Sequence, residues 1–163
     1  GFRCLHDSFG SNYRLTEMQS AIGLEWLSLL DEQIEQRIHN AKTLETICSE
    51  FKSLRTPTTP TYIKNSFYKF YTFVNPDFLK PKWSRDKIIE AINAEGLPCF
   101  SGSCSEIYKE QAFKDFLPNQ CELPIAKELG ETSLMFLVHP TIESNDLADY
   151  KNAIEKVMTE ASL

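Results

Sequence analysis

Gly10-Ser11-Asn12-Tyr13-Arg14-Leu15-Thr16-Glu17-Met18-Gln19, continued by Ser20-Ala21-Ile22-Gly23-Leu24, reads as a polar loop running straight into a capped helix. Thr16 sits three residues before Gln19, the spacing at which a cap side chain and an N3 side chain satisfy each other's backbone N–H. Glu17 falls in the first turn, where the helix dipole favours a negative charge. From there apolar residues recur at Met18, Ile22, Leu27, Leu30, Ile34, Ile38, Ala41, Leu44 and Cys48, mostly in steps of three and four. That periodicity predicts one apolar stripe on one helix. Running to about Phe51, the helix would measure roughly 50 Å at 1.5 Å per residue. A helix of that length overhangs a small domain and suits a strut towards another domain or a partner subunit.

Beyond it, the prolines at 57 and 60 forbid helix and predict an extended linker. Ser66-Phe67-Tyr68-Lys69-Phe70-Tyr71-Thr72-Phe73-Val74 is aromatic and β-branched, a strand ended by Asn75-Pro76-Asp77. Ser84 caps a helix that Gly96 closes. Leu97-Pro98-Cys99-Phe100-Ser101 predicts a short edge strand, because Pro98 cannot donate to a ladder. Ser105 is read as the cap of a short helix through Phe113, and Pro124 to Leu129 as another, closed by Gly130. Ser133-Leu134-Met135-Phe136-Leu137-Val138 is the most apolar strand, and Ser144 caps a final helix from Asn145 to about Glu160. The order predicts an α+β two-layer domain, with a mostly antiparallel sheet of about three strands, helices on one face and a long N-terminal helix.

Composition narrows the function. The chain has 163 residues, enough for one domain with a real core. With 42% hydrophobic and 25% charged residues it is ordinary for a globular protein. A net charge of -6 argues against a nucleic-acid partner, since no basic excess exists to neutralise phosphates. No apolar run reaches the length of a membrane span. The opening Gly1-Phe2-Arg3-Cys4-Leu5-His6-Asp7 lacks the apolar core of a signal peptide, and no initiator Met precedes it. Five cysteines without a C-x-x-C predict reduced thiols and a cytoplasmic setting. Cys99, Cys104, Cys121 and His139 do not have the spacing of a structural zinc site, so no metal is expected.

The opening block closely resembles the G-x-N-x-R-[ML]-[TS]-E-x-Q-A-A-I-G segment of the DegT/DnrJ/EryC1/StrS sugar aminotransferases, which use pyridoxal 5'-phosphate (PLP). Leu30-Asp31-Glu32 with Arg37 is similar to that family's L-D-x-x-x-x-x-R helix. Ser66-Phe67-Tyr68-Lys69-Phe70 resembles its S-[YF]-[YH]-x-[YF] strand, and Arg85-Asp86-Lys87-Ile88 its R-D-x-[LI] helix start. Tyr108 through Phe113 resembles Y-x-x-x-A-F, and Ala126, Leu129, Leu134, Leu137, His139 and Pro140 fit its ending. Val138 stands where many members carry Pro. The fragments occur in the family's own order, across most of the chain.

The resemblance implies the C-terminal part of a fold-type I PLP enzyme: 1–15 a loop from the large domain, 16–55 a connecting helix, 56–163 the small α+β domain. It implies a homodimer in which Asn12 hydrogen-bonds the PLP phosphate of the partner subunit. Arg14 would lie near that phosphate or bind the nucleotide diphosphate of the substrate. Read without the family, Gly10-Ser11-Asn12 suits a simple turn and Arg14 a solvated charge. Ser103, Cys104 and Tyr108 are expected near the sugar pocket. Cys104 departs from the family's frequent His, so it receives no catalytic task. Tyr68 is a further aromatic candidate for substrate contact, His6 a candidate near the cofactor, and His139 a structural residue at a strand end. No lysine precedes the opening block, whereas the family's cofactor-bearing lysine does. The fragment is therefore expected to lack PLP and to be inactive by itself. The whole enzyme would take an amino group from glutamate and place it on a nucleotide-linked keto-sugar, for lipopolysaccharide O-antigen or related amino sugars. The alternative is a free-standing, non-catalytic dimerisation or regulatory module of the same fold.

Overall fold

The computed structural model describes residues 6–116 and 122–163. It divides into two compact units, Gly1–Asp31 with Ser103–Gly130, and Glu32–Gly102 with Glu131–Leu163.

The second unit carries the sheet. Strands β1 (Leu54–Arg55), β2 (Phe70–Val74), β3 (Cys99–Phe100) and β4 (Ser133–Phe136) form one antiparallel sheet in the order β1-β2-β4-β3. The register pairs Phe70 with Phe136 and Thr72 with Leu134, and on the outer side Cys99 with Phe136. Because side chains alternate along a strand, Leu54, Phe70, Val74, Cys99, Leu134 and Phe136 share one face. That face is the core. Helices α2 (Leu30–Ser49), α3 (Arg85–Ala94) and α5 (Ser144–Ala161) cover it with Leu44, Ile88, Ile92, Ile154 and Met158. The expected α+β architecture and one-sided helix layer are present. The sheet has four strands rather than about three, because two residues at Leu54 suffice to pair with Val74.

The long N-terminal helix is two helices. α1 spans Glu17–Leu27 and α2 resumes at Leu30. The Ser28 hydroxyl donates to the Glu25 carbonyl at 2.7 Å, a local bond of the kind that competes with helix continuation. The Thr16–Gln19 capping box is present, with the Gln19 N–H on the Thr16 hydroxyl at 3.3 Å and the Thr16 N–H on Gln19 Oε1 at 3.0 Å. The apolar stripe divides at the same break. Ala41, Leu44 and Cys48 are buried core, whereas no residue of α1 is buried and Met18 is 76% exposed.

Other boundaries move for local reasons. β2 begins at Phe70, not Ser66, because Phe67 has φ 45°, outside the extended region. Residues 107–113 form two 3-10 turns rather than one helix capped by Ser105. Gly130 does not end its helix: α4 runs from Pro124 to Thr132. The final helix begins at Ser144 itself rather than being capped by it, because Glu143 and Asp146 form the cap one residue earlier.

One buried polar group organises the core. Asn40 is fully buried, donates to the His139 carbonyl at 3.1 Å and accepts from Gln36 Nε2 at 3.0 Å. His139 Nδ1 meets the Thr141 hydroxyl at 2.7 Å, in the segment that follows β4 rather than at the strand end, since β4 stops at Phe136.

Candidate functional site

The opening loop lies in the first unit. Asn12 and Arg14 are exposed, and among the described residues no hydrogen bond or ion pair engages either side chain. Gly10 and Gly23 of the same block meet open space: an added Cβ would touch nothing within 4 Å. Gly in a helix interior costs about 1 kcal/mol relative to Ala, and nothing in this chain explains Gly23. An amide, a guanidinium and open backbone N–H groups just ahead of a helix N-terminus are the donor set an anion takes. The loop thus fits the phosphate end of a cofactor, and it supplies no lysine to hold the other end.

Upstream, the chain is pinned within its own unit. The His6 N–H donates to Glu110 Oε2 at 2.8 Å, and His6 Nδ1 lies 3.3 Å from the same oxygen. The Ala112 N–H returns to the His6 carbonyl at 2.9 Å. The Phe9 ring meets Phe113 and Phe116 edge-on, at 5.1 and 5.3 Å between centroids. His6 therefore anchors the loop to the 3-10 segment.

The pocket candidates follow β3. Gly102 has φ 80°, and an added Cβ would stand 2.5 Å from Tyr71 Cε1, so glycine is required twice over. Its neighbour is tied down as well: the buried Ser133 hydroxyl donates to the Ser101 carbonyl at 2.6 Å, and Arg85 Nη1 donates to the Ser133 carbonyl at 3.2 Å. Arg85 was read from sequence only as a helix start. Ser103 is exposed, and Cys104 and Tyr108 are half-buried. Gly130 has no room for a Cβ because the Ser105 side chain packs onto it, a contact that an isolated glycine in a helix pattern hints at.

Tyr108 is engaged internally. Its hydroxyl donates to Glu106 Oε1 at 2.6 Å and accepts from the Leu123 N–H at 3.3 Å, while Lys109 Nζ lies 2.8 Å from the same Glu106 oxygen. The hydrogen bonds from Lys109 and then Tyr108 hold the Glu106 carboxyl below its ordinary 4.5. The bond to Glu106 raises Tyr108 above its ordinary 10.0 and raises Lys109 too. The signs differ. Glu106 stabilises the fold above its unfolded value, and that contribution is lost as pH falls through the lowered folded one. Tyr108 and Lys109 contribute below their unfolded values and lose the contribution as pH rises through the raised ones. A carbon-detected NMR titration should therefore place the Glu106 midpoint below 4.5, and Lys109→Ala should move it upward.

Burial sets the thiols apart. Burial, reinforced by the neighbouring Cys99, pushes Cys48 up to about 12, and burial pushes Cys99 to about 12 against the hydrogen bonds it receives. Since only the thiolate reacts, iodoacetamide at pH 8 should label the half-buried Cys104 while Cys48 and Cys99 stay unmodified until the chain is unfolded. Peptide mapping reads this directly. Of the cysteine–histidine set considered for zinc, Cys121 lies outside the described residues. Among the described residues no three His, Cys, Asp or Glu could hold a metal, and no helix is long and apolar enough to cross a membrane.

Known proteins carry the same pattern. The model of the DegT/DnrJ/EryC1/StrS aminotransferase family matches residues 2–155. An aminotransferase from Psychrobacter cryohalolentis is 41% identical, with a TM-score of 0.82 over 98% of this chain and 42% of that one. PseC of Helicobacter pylori, an aminotransferase involved in the biosynthesis of pseudoaminic acid, shares the fold at 21% identity, with a TM-score of 0.76 over 93% of this chain and 40% of its own. An uncharacterized protein of Methanocaldococcus jannaschii is 24% identical over 93% of this chain and 39% of itself. The chain thus spans about two fifths of the length of the proteins it matches.

Proposed function

This chain belongs to the DegT/DnrJ/EryC1/StrS aminotransferase family, and on that premise we propose that it is the C-terminal portion of a PLP-dependent aminotransferase acting on nucleotide-linked keto-sugars. One observation carries the reading: near-complete alignment, at 41% identity, to an aminotransferase more than twice its length.

When bound, PLP supplies the electron sink through which an amino group leaves glutamate and reaches the sugar. The part of this chain is to hold and to shape. Asn12 donates to the cofactor phosphate of the partner subunit, and Arg14 adds positive charge there or at the substrate's diphosphate. Ser103, Cys104 and Tyr108 line the sugar end, with Tyr108 acting mainly to fix the turn. The lysine that carries the cofactor comes from the preceding large domain, so this chain by itself does not transaminate. The enzyme is a cytoplasmic homodimer serving lipopolysaccharide O-antigen or related amino-sugar synthesis, without a nucleic-acid or membrane partner.

Two features support an assembly larger than this chain. α1 exposes Met18, Ile22, Leu24, Trp26 and Leu27, apolar residues spread around its circumference where an isolated surface helix is mostly polar. Gly23 in its interior is the residue that permits a close backbone approach from outside.

An antibody against this chain, used to blot extracts of the source cell, tests the fragment reading. A band of roughly 40 kDa or above, as an added domain of ordinary size requires, is expected. A band at 18.7 kDa would favour the free-standing module.

A further inference from the structure

Glu110 is a buried carboxylate that its own turn does not use. With φ -61° and ψ 142° it closes the 3-10 turn Ile107–Lys109 and opens the next, Gln111–Phe113. The side chain at an N-cap position ordinarily accepts an N–H of its own turn, and that of Glu110 does not. A carboxylate only 6% exposed is costly unless hydrogen bonds satisfy it. Its Oε2 instead takes the His6 N–H at 2.8 Å, across 104 positions of sequence. The Ala112 N–H donates to the His6 carbonyl at 2.9 Å, so both backbone polar groups of His6 are held by one short segment. The imidazole adds little to that hold: it lies 3.3 Å from the same oxygen but is 71% exposed. All of these contacts lie within one compact unit.

The hold matters because residues 6–15 form neither helix nor strand. Their course is set by the points at which they are fastened. Phe9, edge-on to Phe113 and Phe116 of the same segment, is a second fastening, and the Thr16–Gln19 cap is a third. An extended chain fastened at His6 reaches Asn12 anywhere within roughly 20 Å, and one fastened at Phe9 within about half that. We propose that Glu110 is a positioning residue for the opening loop: its grip on the His6 N–H aligns the chain so that Phe9 seats on its two partner rings and Asn12 meets the cofactor phosphate already ordered. The inference rests on the phosphate role of Asn12 proposed above and adds the residue that fixes the loop. A loop ordered beforehand spares the ligand the entropy of ordering it. An ionised carboxylate makes a stronger hydrogen bond to that N–H than a neutral acceptor does.

The test uses the longer protein that contains this chain, loaded with PLP, and two readouts: cofactor loss on dialysis, and amide hydrogen exchange followed by mass spectrometry. Glu110→Ala should lose PLP about 10-fold faster, the cost of one hydrogen bond to a charged group. Exchange over residues 6–16 should quicken in that variant, while exchange over β4 and α5 stays as in wild type. Glu110→Gln keeps an acceptor for the His6 N–H and should recover most of both effects. Added to Asn12→Ala, Glu110→Ala should cause no further PLP loss, as required if it acts through that side chain. Additive loss would overturn the proposal, because Glu110 would then serve the cofactor by another route. Faster exchange in β4 and α5 as well, which is general destabilisation, would overturn it too, as would no recovery in Glu110→Gln. PLP loss from Asn12→Ala but not from Glu110→Ala would remove the positioning role and leave the phosphate reading standing. Wild-type retention by Asn12→Ala would remove the phosphate reading, and this inference with it.

Discussion

Replacing Asn12 by alanine in the longer enzyme is expected to weaken PLP retention by about 10- to 100-fold, the range for removing one hydrogen bond to a charged group. The reason lies in what the fold leaves unused. Asn12 is exposed and unengaged in a loop that is otherwise anchored, upstream by the His6 backbone on Glu110 and Ala112 and downstream by the Thr16–Gln19 cap. An exposed amide between two anchors, without a hydrogen-bond partner among the described residues, leaves its donors available for the phosphate proposed above. Since the side chain makes no bond within the chain, the variant should fold with an unchanged thermal midpoint. Dialysis of the holoenzyme followed by cofactor spectroscopy measures the effect. Retention equal to wild type would remove Asn12 from the site. On the proposed arrangement, in which the phosphate sits in the partner's site, mixing Asn12→Ala subunits with subunits that lack the cofactor-bearing lysine should restore, in the hybrid, one site with both residues intact.

Phe136→Ala should be the most damaging single truncation for stability. The ring is 1% exposed and stands at the C-terminal end of β4, between Phe70 at 6.4 Å and the edge-on Tyr150 at 6.0 Å. Both strand neighbours, Phe70 and Cys99, pair with it in register. The lost burial and the cavity left behind together cost about 3–5 kcal/mol, a large part of the 5–15 kcal/mol that holds a typical domain. Urea unfolding followed by circular dichroism should show a lower midpoint at an unchanged slope. Tyr13→Ala, at a side chain 94% exposed, should change stability by no more than about 0.5 kcal/mol. A Phe136→Ala variant as stable as wild type would mean that the sheet face is not the core.

What could be read in advance was local chemistry. The Thr16–Gln19 cap, the Ser84 cap and the turn at Gly96 are decided by residues within four positions of one another, and all three are present. β4 was legible because Leu134, Met135 and Phe136 form an unbroken apolar run, and all four of its residues are buried. What was not legible depends on distant partners. Phe67 leaves the extended region because Arg37, 30 residues away, holds its carbonyl. Residues 107–113 break into two turns whose anchor is His6, 104 residues from Glu110. Gly130 looked like a helix terminator but is a packing glycine under Ser105. The break at Ser28 lacks the Gly or Pro that usually announces one. For the site, Asn12 and Arg14 enter as candidates through the family motif, and Tyr108 through the same resemblance; the engagement of its hydroxyl by Glu106 and Leu123 appears only in three dimensions. Arg85 and Ser133, which fix the exit of β3, carry no motif of their own beyond a helix start and a strand residue.

The most direct measurement is glutamate-dependent amination of a nucleotide-linked keto-sugar, run side by side on this chain and on the longer protein, each with PLP. The expected result is one 2-oxoglutarate formed for every aminated sugar nucleotide by the longer protein, and none by this chain. Turnover by this chain alone, or no amination by the longer protein across the common uridine, thymidine and cytidine diphosphate keto-sugars, would contradict the account.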